Sequence, residues 1–202
     1  MSLTKYFFVL TLVLSLTACM INPSQLNQDR AAAARLKLGL AYLEQAKNNS
    51  RYLDLAYHNL KLAENYSPNN VFVLFGLAQF YHQVGEINIA DTFYRRVLEQ
   101  NIEQGNFFIY YGRFLCQTKK YNEAQDYFNR VIVLNHYQWK VEALEQSAYC
   151  ALLAKDSKKA KKQFANLFRL APLKRSEAKK MVRLYEKDKR VEAAHELKMI
   201  LK

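Results

Sequence analysis

Residues 111–128 read YGRFLCQTKKYNEAQDYF, and this stretch decides the fold. The small Gly112 stands beside the large Tyr111, and Ala124 then opens a second apolar series that runs on through Phe128 and Val131 at helical spacing. A small side chain is needed where the two helices of a hairpin cross closely. Large ones fill the gaps beside the crossing.

The alanine recurs as a ladder, Ala56, Ala90, Ala124, Ala160 and Ala194, at steps of 34, 34, 36 and 34 residues. Four residues beyond each rung stand Leu60, Tyr94, Phe128, Phe164 and Lys198, and seven beyond stand Ala63, Val97, Val131, Leu167 and Leu201. Upstream of the first four rungs lie the small residues Gly39, Ala78, Gly112 and Ala148, flanked by large ones such as Leu38, Leu74, Leu77 and Tyr81. Pro68 and Pro172 follow apolar series whose helices they would stop. Period and pattern resemble the tetratricopeptide repeat, which predicts an all-α fold: a right-handed superhelix of helical hairpins, four clear repeats and a degenerate fifth. The first repeat carries about five extra residues within Gln45–Leu53, and two more fall around His136–Lys140. The fifth has Val182 at the small position and Lys198 at an apolar one, as in a partial or capping repeat with a polar outer face.

Stacked hairpins of this kind line a concave wall with their first helices. The inward positions are expected to be Leu36, Leu40 and Leu43, then Phe72, Phe75, Gln79 and His82, then Asn106, Ile109, Arg113 and Gln117. Such a stripe, apolar with a few amides and one arginine, suits a peptide or helix of a partner protein. Cys116 and Cys150 fall on the first helices of adjacent repeats, two residues apart in register, so they are either a disulfide pinning the repeats or two small buried apolar residues.

At the other end of the chain, Lys5 precedes an apolar run, Tyr6–Leu16, which closes on Leu16-Thr17-Ala18-Cys19. A charged start, a short apolar core and small residues before a cysteine are the parts of a lipoprotein signal. The expected organisation is therefore a cleaved signal peptide over 1–18, an acylated Cys19 with a tether over 19–30, and the repeat domain over 31–202. Each buried methylene contributes about 0.8 kcal/mol and more than one chain anchors stably, so the mature protein is expected to stay on its membrane. Met20, where an aspartate would signal retention at the inner membrane, predicts the periplasmic face of the outer membrane.

The net charge of +12 is lopsided, with 16 Lys and Arg against 6 Asp and Glu from Lys155 to Lys202. A basic block commonly suggests nucleic acid, but export removes that partner and leaves anionic headgroups, an acidic protein surface or a plain solvated face. His58, His82, His136 and His195 are scattered without metal spacing, and neither a phosphate loop nor a serine elbow occurs. No enzyme activity, metal, cofactor beyond the lipid on Cys19, or small-molecule substrate is expected.

Several segments together resemble the PilF/PilW family of type IV pilus biogenesis lipoproteins. They are Leu38–Leu43, Leu77–Tyr81, Tyr111–Gln117 with Tyr121–Ala124, and Tyr149–Leu152. The cysteine of the third repeat, answered by another one repeat later, is the most specific part. The resemblance implies a pilotin: a protein that binds the type IV pilus secretin subunit and promotes its outer-membrane localisation and multimer assembly. It also implies a groove built from residues such as Leu36, Leu40, Leu43, Phe72, Phe75 and Gln79, with Cys19 as the anchor. The alternative is another outer-membrane tetratricopeptide lipoprotein, a scaffold for barrel-protein assembly or an adaptor for cell-wall hydrolases.

Overall fold

The computed structural model describes residues 23–102, 104–134 and 136–202. Among them are ten helices and no strand. In chain order the hairpins are α1 (Pro23–Ala46) with α2 (Tyr52–Tyr66), α3 (Val71–Gln83) with α4 (Ile87–Glu99), α5 (Gly105–Gln117) with α6 (Tyr121–Ile132), α7 (Tyr137–Leu153) with α8 (Ser157–Leu170), and α9 (Lys174–Lys187) with α10 (Val191–Leu201). The chain forms two compact units, Met1–Phe93 and Tyr94–Lys202, and the division falls within α4.

The alanine ladder is the buried seam of each hairpin. Ala56, Ala90, Ala124 and Ala160 are fully buried, and so are Leu60, Phe128 and Phe164 one turn on. The small positions upstream are small because these side chains occupy the crossing. A Cβ on Gly39 would stand 2.7 Å from Leu60 Cγ, and one on Gly112 would stand 2.6 Å from Phe128 Cε1. In the first unit Leu60 joins Leu43, Ala56, Ala63, Val73 and Leu77 in one core. In the second, Phe164 and Leu167 join Leu144, Ala178, Val182 and Tyr185.

Four of the five hairpins turn in the same way. Each three-residue connection holds its middle residue in the left-handed region: Gly85, Lys119, Lys155 and Lys189, at φ of 83°, 65°, 60° and 58°. The next amide then reaches back to the helix end, Glu86 N–H to Tyr81 O at 2.9 Å, Lys120 to Leu115 at 2.8 Å, Asp156 to Ala151 at 2.9 Å and Arg190 to Tyr185 at 2.8 Å. This is the Schellman closure, which satisfies carbonyls that a helix end would otherwise orphan. The following helix opens on a side-chain cap in places, as where Asp156 accepts from Lys159 N–H at 3.0 Å. Asn70 does the same for Phe72 N–H at 2.9 Å.

The irregularities resolve into helix length. The surplus of the first repeat is shared between a longer α1 and a connection of five residues, 47–51. Before the fourth hairpin the extra residues start α7 early, so that it runs for 17 residues against 13 for α5. The degenerate fifth repeat is a full hairpin: Ala178, Val182 and Tyr185 pack with Ala193, Ala194 and Leu197, while Lys198 stands outside and pairs with Glu186 at 2.5 Å.

One expectation needs correction. Residues 23–30, assigned to a tether, are the first turns of α1. Proline is tolerated at a helix start because its missing N–H would have no partner there, and Asp29 is tied to the body of its unit by a hydrogen bond from Ser67 Oγ at 2.6 Å. The signal peptide over 1–18, the lipidation position Cys19 and the rest of the tether lie outside the described residues. Among the described residues no helix is long and apolar enough to cross a membrane.

Candidate functional site

The positions expected to face a groove divide into surface and core. In the first unit Phe72 is 46% exposed, and Gln79 and His82 are half-buried. Leu36 and Leu40 are half-buried over Gly76, where a Cβ would come within 2.8 Å of Leu36 Cδ1. Leu43, however, is only 5% exposed and belongs to the core of the hairpin, and Phe75 is buried as well. In the second unit Ile109 is completely buried among Val131 and Ala143. These three are corrections: an apolar residue on a first helix can face the groove or the neighbouring helix, and the helical period alone does not separate the two when both directions are apolar. Asn106 is half-buried, with its Oδ1 enclosed and lacking a hydrogen bond.

Arg113 does line a concavity, a cleft of about 560 Å³ within the second unit. Its walls are the first helices of three successive hairpins. From α5 come Arg113, Cys116 and Gln117; from α7 come Glu145, Tyr149 and Cys150. From α9 come Lys174, Glu177, Met181 and Tyr185, with Asp188 and Arg190 at the turn beyond it. Cys116 and Cys150 are joined in a disulfide, Cα to Cα 5.8 Å, across a separation of 34 residues that equals one repeat. The bridge ties α5 to α7 in the wall of the cleft, so the spacing of these helices is held covalently.

Three charged groups of the cleft are paired with one another. Lys174 Nζ lies 3.0 Å from Glu145 Oε2 and 2.6 Å from Glu177 Oε2. Partial burial disfavours its charge, but the hydrogen bonds to Glu177 and Glu145 outweigh it and hold its pKa above the ordinary lysine value. Burial raises the pKa of Tyr149, reinforced by the nearby Glu145 carboxylate. Tyr185 is pushed up to about 12 by burial, against the opposing charge of Arg190, whose guanidinium stands 5.6 Å from its ring centre. All three groups therefore keep their neutral pH charge state across a wide range. A wall with fixed charges, tyrosine hydroxyls and the apolar surfaces of Met181 and Leu184 offers the features that hold a polypeptide segment.

Glu145, Tyr149 and Leu153, which are not among the inward positions expected above, occupy the register of Ile109, Arg113 and Gln117 carried forward one hairpin. Continuing that offset would have found them. The contributions of α9 would not follow, because Val182 at the small position obscures the register there, and because the proximity of Lys174 to Glu145 arises from packing between hairpins rather than from spacing along one helix.

No protein-family model matches the chain. An uncharacterized protein of Haemophilus influenzae is 35% identical over 131 residues, which covers 65% of this chain and 70% of that protein. The type IV pilus assembly protein PilF of Pseudomonas aeruginosa is 25% identical over 187 residues, 90% of this chain and 72% of its own length. Among solved structures, that of Pseudomonas aeruginosa PilF superposes with a TM-score of 0.67 at 24% identity, covering 87% of this chain and 77% of the other. PilW, described as a widely conserved type IV pilus biogenesis factor, gives 0.66 at 16% identity over 84% and 76% of the two chains. YrrB, described as a tetratricopeptide protein with an unusual peptide-binding site, gives 0.53 at 20% over 79% and 82%. The structural likenesses establish the tetratricopeptide fold. The sequence match relates the chain, at modest identity, to the pilus biogenesis proteins.

Proposed function

The chain belongs to one family with the uncharacterized Haemophilus influenzae protein and is related to PilF, and from that premise we propose that it is an outer-membrane pilotin for type IV pili. In this reading it is acylated on Cys19, faces the periplasm, binds the secretin subunit and promotes its arrival and multimerisation in the outer membrane. The observation that carries the proposal is the match to PilF along 90% of the chain. Two features add support: the lipobox Leu16-Thr17-Ala18-Cys19 and a repeat array that offers clefts and exposed aromatic residues.

The mechanism needs no chemistry from the protein. A lipid anchor converts the search of secretin subunits for one another from three dimensions to a surface, and a bound subunit gains effective concentration there. The surface-accessible positions Leu36, Leu40, Phe72, Gln79 and His82 in the first unit and Arg113 in the second are the residues through which the subunit would be gripped. The proposed role is binding.

Deletion of the chain, followed by a gel assay for heat-resistant secretin multimers in separated inner and outer membranes, tests the proposal. Loss of multimers from the outer membrane is expected, restored by the wild-type chain and not by Cys19→Ala, which should fold normally but leave the membrane. Unchanged multimers on deletion would overturn the pilotin reading.

A further inference from the structure

We propose that the outward face of the α9–α10 hairpin is a docking surface for anionic phospholipid headgroups, a second membrane contact besides the lipid on Cys19. The proposal rests on the reading that the chain is lipid-anchored and adds to it a site on the folded domain.

Residues 155–202 hold exposed cations without an ion pair on α8, Lys158 and Lys162, and a larger group on α9. Five of the six acidic side chains there are engaged: Asp156 with Lys159 at 3.8 Å, Glu177 with Lys174 at 2.6 Å, Glu186 with Lys198 at 2.5 Å, Glu192 with Lys155 at 2.5 Å and Glu196 with Lys161 at 3.7 Å. The Glu196 contact is an ion pair beyond hydrogen-bond reach, since its Oε1 is buried and has no hydrogen-bond partner. The sixth, Asp188, lines the cleft. Lys179, Lys180, Arg183 and Lys187 of α9 are exposed, and none has an ion-pair partner among the described residues.

Helical geometry gathers them. Ala178, Val182 and Tyr185 form the buried arc of α9, and at 3.6 residues per turn the four cations fall on the opposite arc. Beside it, α9 and α10 enclose a shallow groove of about 310 Å³ lined by Lys179, Arg183, Lys198 and Lys202 over Val182 and Leu201, with one carboxylate, Glu186, which is paired with Lys198 and leaves the rim cationic in balance. A cationic rim over an apolar floor is the complement of a phospholipid headgroup, whose phosphate seeks the rim and whose glycerol carbons seek the floor.

A solvent-facing helix surface needs polar residues for solubility, but that requirement does not select a sign. The first hairpin is nearer to balance, with Asp29, Glu44, Asp54 and Glu64 against Arg30, Arg35, Lys37, Lys47, Arg51 and Lys61. An excess of one sign is complementary to a partner of the other, and for a chain held on a membrane the most concentrated anion within reach is the headgroup layer. Each Lys or Arg brought to such a surface strengthens partition by about fivefold.

The test uses the mature chain from residue 19 with Cys19→Ala, so that no acyl chain contributes, and measures cosedimentation with phosphatidylcholine vesicles made with and without phosphatidylglycerol. Binding only to the vesicles that contain phosphatidylglycerol is expected, weakened about tenfold or more by Lys179→Gln with Arg183→Gln. The control pair Lys119→Gln with Lys120→Gln removes the same charge elsewhere and should weaken it far less. Circular dichroism melts would confirm that the exposed substitutions leave the fold intact, and inorganic phosphate at matched ionic strength should not displace the protein. Absence of binding to phosphatidylglycerol, an equal loss in the control pair, or displacement by phosphate would each overturn the proposal. Palmitate labelling of the intact chain in cells tests the anchor separately. A labelled chain whose unacylated form ignores phosphatidylglycerol refutes the surface alone, and an unlabelled chain that binds it refutes the anchor alone.

Discussion

Reducing the Cys116–Cys150 bridge should destabilise the second unit strongly and the first unit little. The loop it closes spans 34 residues, and the loss of denatured-state entropy from closing a loop of that size stabilises the fold by about 3–4 kcal/mol. Both cysteines are buried, at 7% and 2% exposure, so reduction in place creates no cavity and the loop term should dominate. For a chain of this length a change of 1 kcal/mol shifts the melting temperature by roughly 2–4 °C, which makes about 10 °C the expected fall. In a repeat array each hairpin contacts its neighbours only, so the loss should be local. The assay is a thermal melt of the oxidised and reduced wild-type protein, with hydrogen exchange to locate the change. Exchange should quicken from Gly105 to Leu153, across α5 to α7, while α1 and α2 keep their protection. Oxidised and reduced melts that coincide would refute the reasoning, as would two thiols free to react in the unfolded, unreduced chain.

Gly112→Ala forces a methyl to within 2.6 Å of the fully buried Phe128 ring, and an overpacked crossing should lose about 1–3 kcal/mol in urea denaturation. Ser147→Ala removes the donor of a 2.6 Å bond to Gln125 Oε1 in a buried pair, and stranding that oxygen should cost about 1–3 kcal/mol by the same measurement. Alkaline pH should unfold the protein: the raised pKa values of Tyr81 and Tyr185, each about 12, and of Tyr94 and Tyr149 mean that the folded state keeps protons which the unfolded state releases near 10. Stability is then full below pH 10 and falls as pH rises toward 12. An ultraviolet titration in which every tyrosine ionises near 10 without unfolding would contradict it.

The hairpins were legible because burial, crossing distance and period are all written in the same few residues. Ala124, Phe128 and Gly112 each satisfy a steric demand that only their side-chain size can meet, so the residue type reports the geometry directly. The pilus relationship was legible for a similar reason, in the segments around Gly112 and Cys116. The groove was less so. Leu40 and Leu43 differ by less than one turn, yet one is half-buried and the other is core; which side an apolar residue takes depends on the partner helix, and the sequence of one helix does not contain it. The ion pair of Lys174 with Glu145 was not legible either, since contact across hairpins leaves no periodic mark. Residues 23–30 were read as a tether because they are polar and begin with proline, although that position favours a helix start and Ser67 supplies a distant hydrogen bond.

The shared turn has a consequence for how such a protein changes over generations. Three of the four left-handed positions hold lysine where glycine would be easier, and the closure is made from main-chain atoms alone. Even the last hairpin, whose side-chain pattern has decayed, keeps it at Lys189. Each of these four pairs of helices thus carries its own terminator, indifferent to the identity of its neighbours. A duplicated or deleted pair would leave the remaining corners able to form, and lineages can lengthen or shorten the array in whole units while recognition surfaces diverge around an unaltered bend.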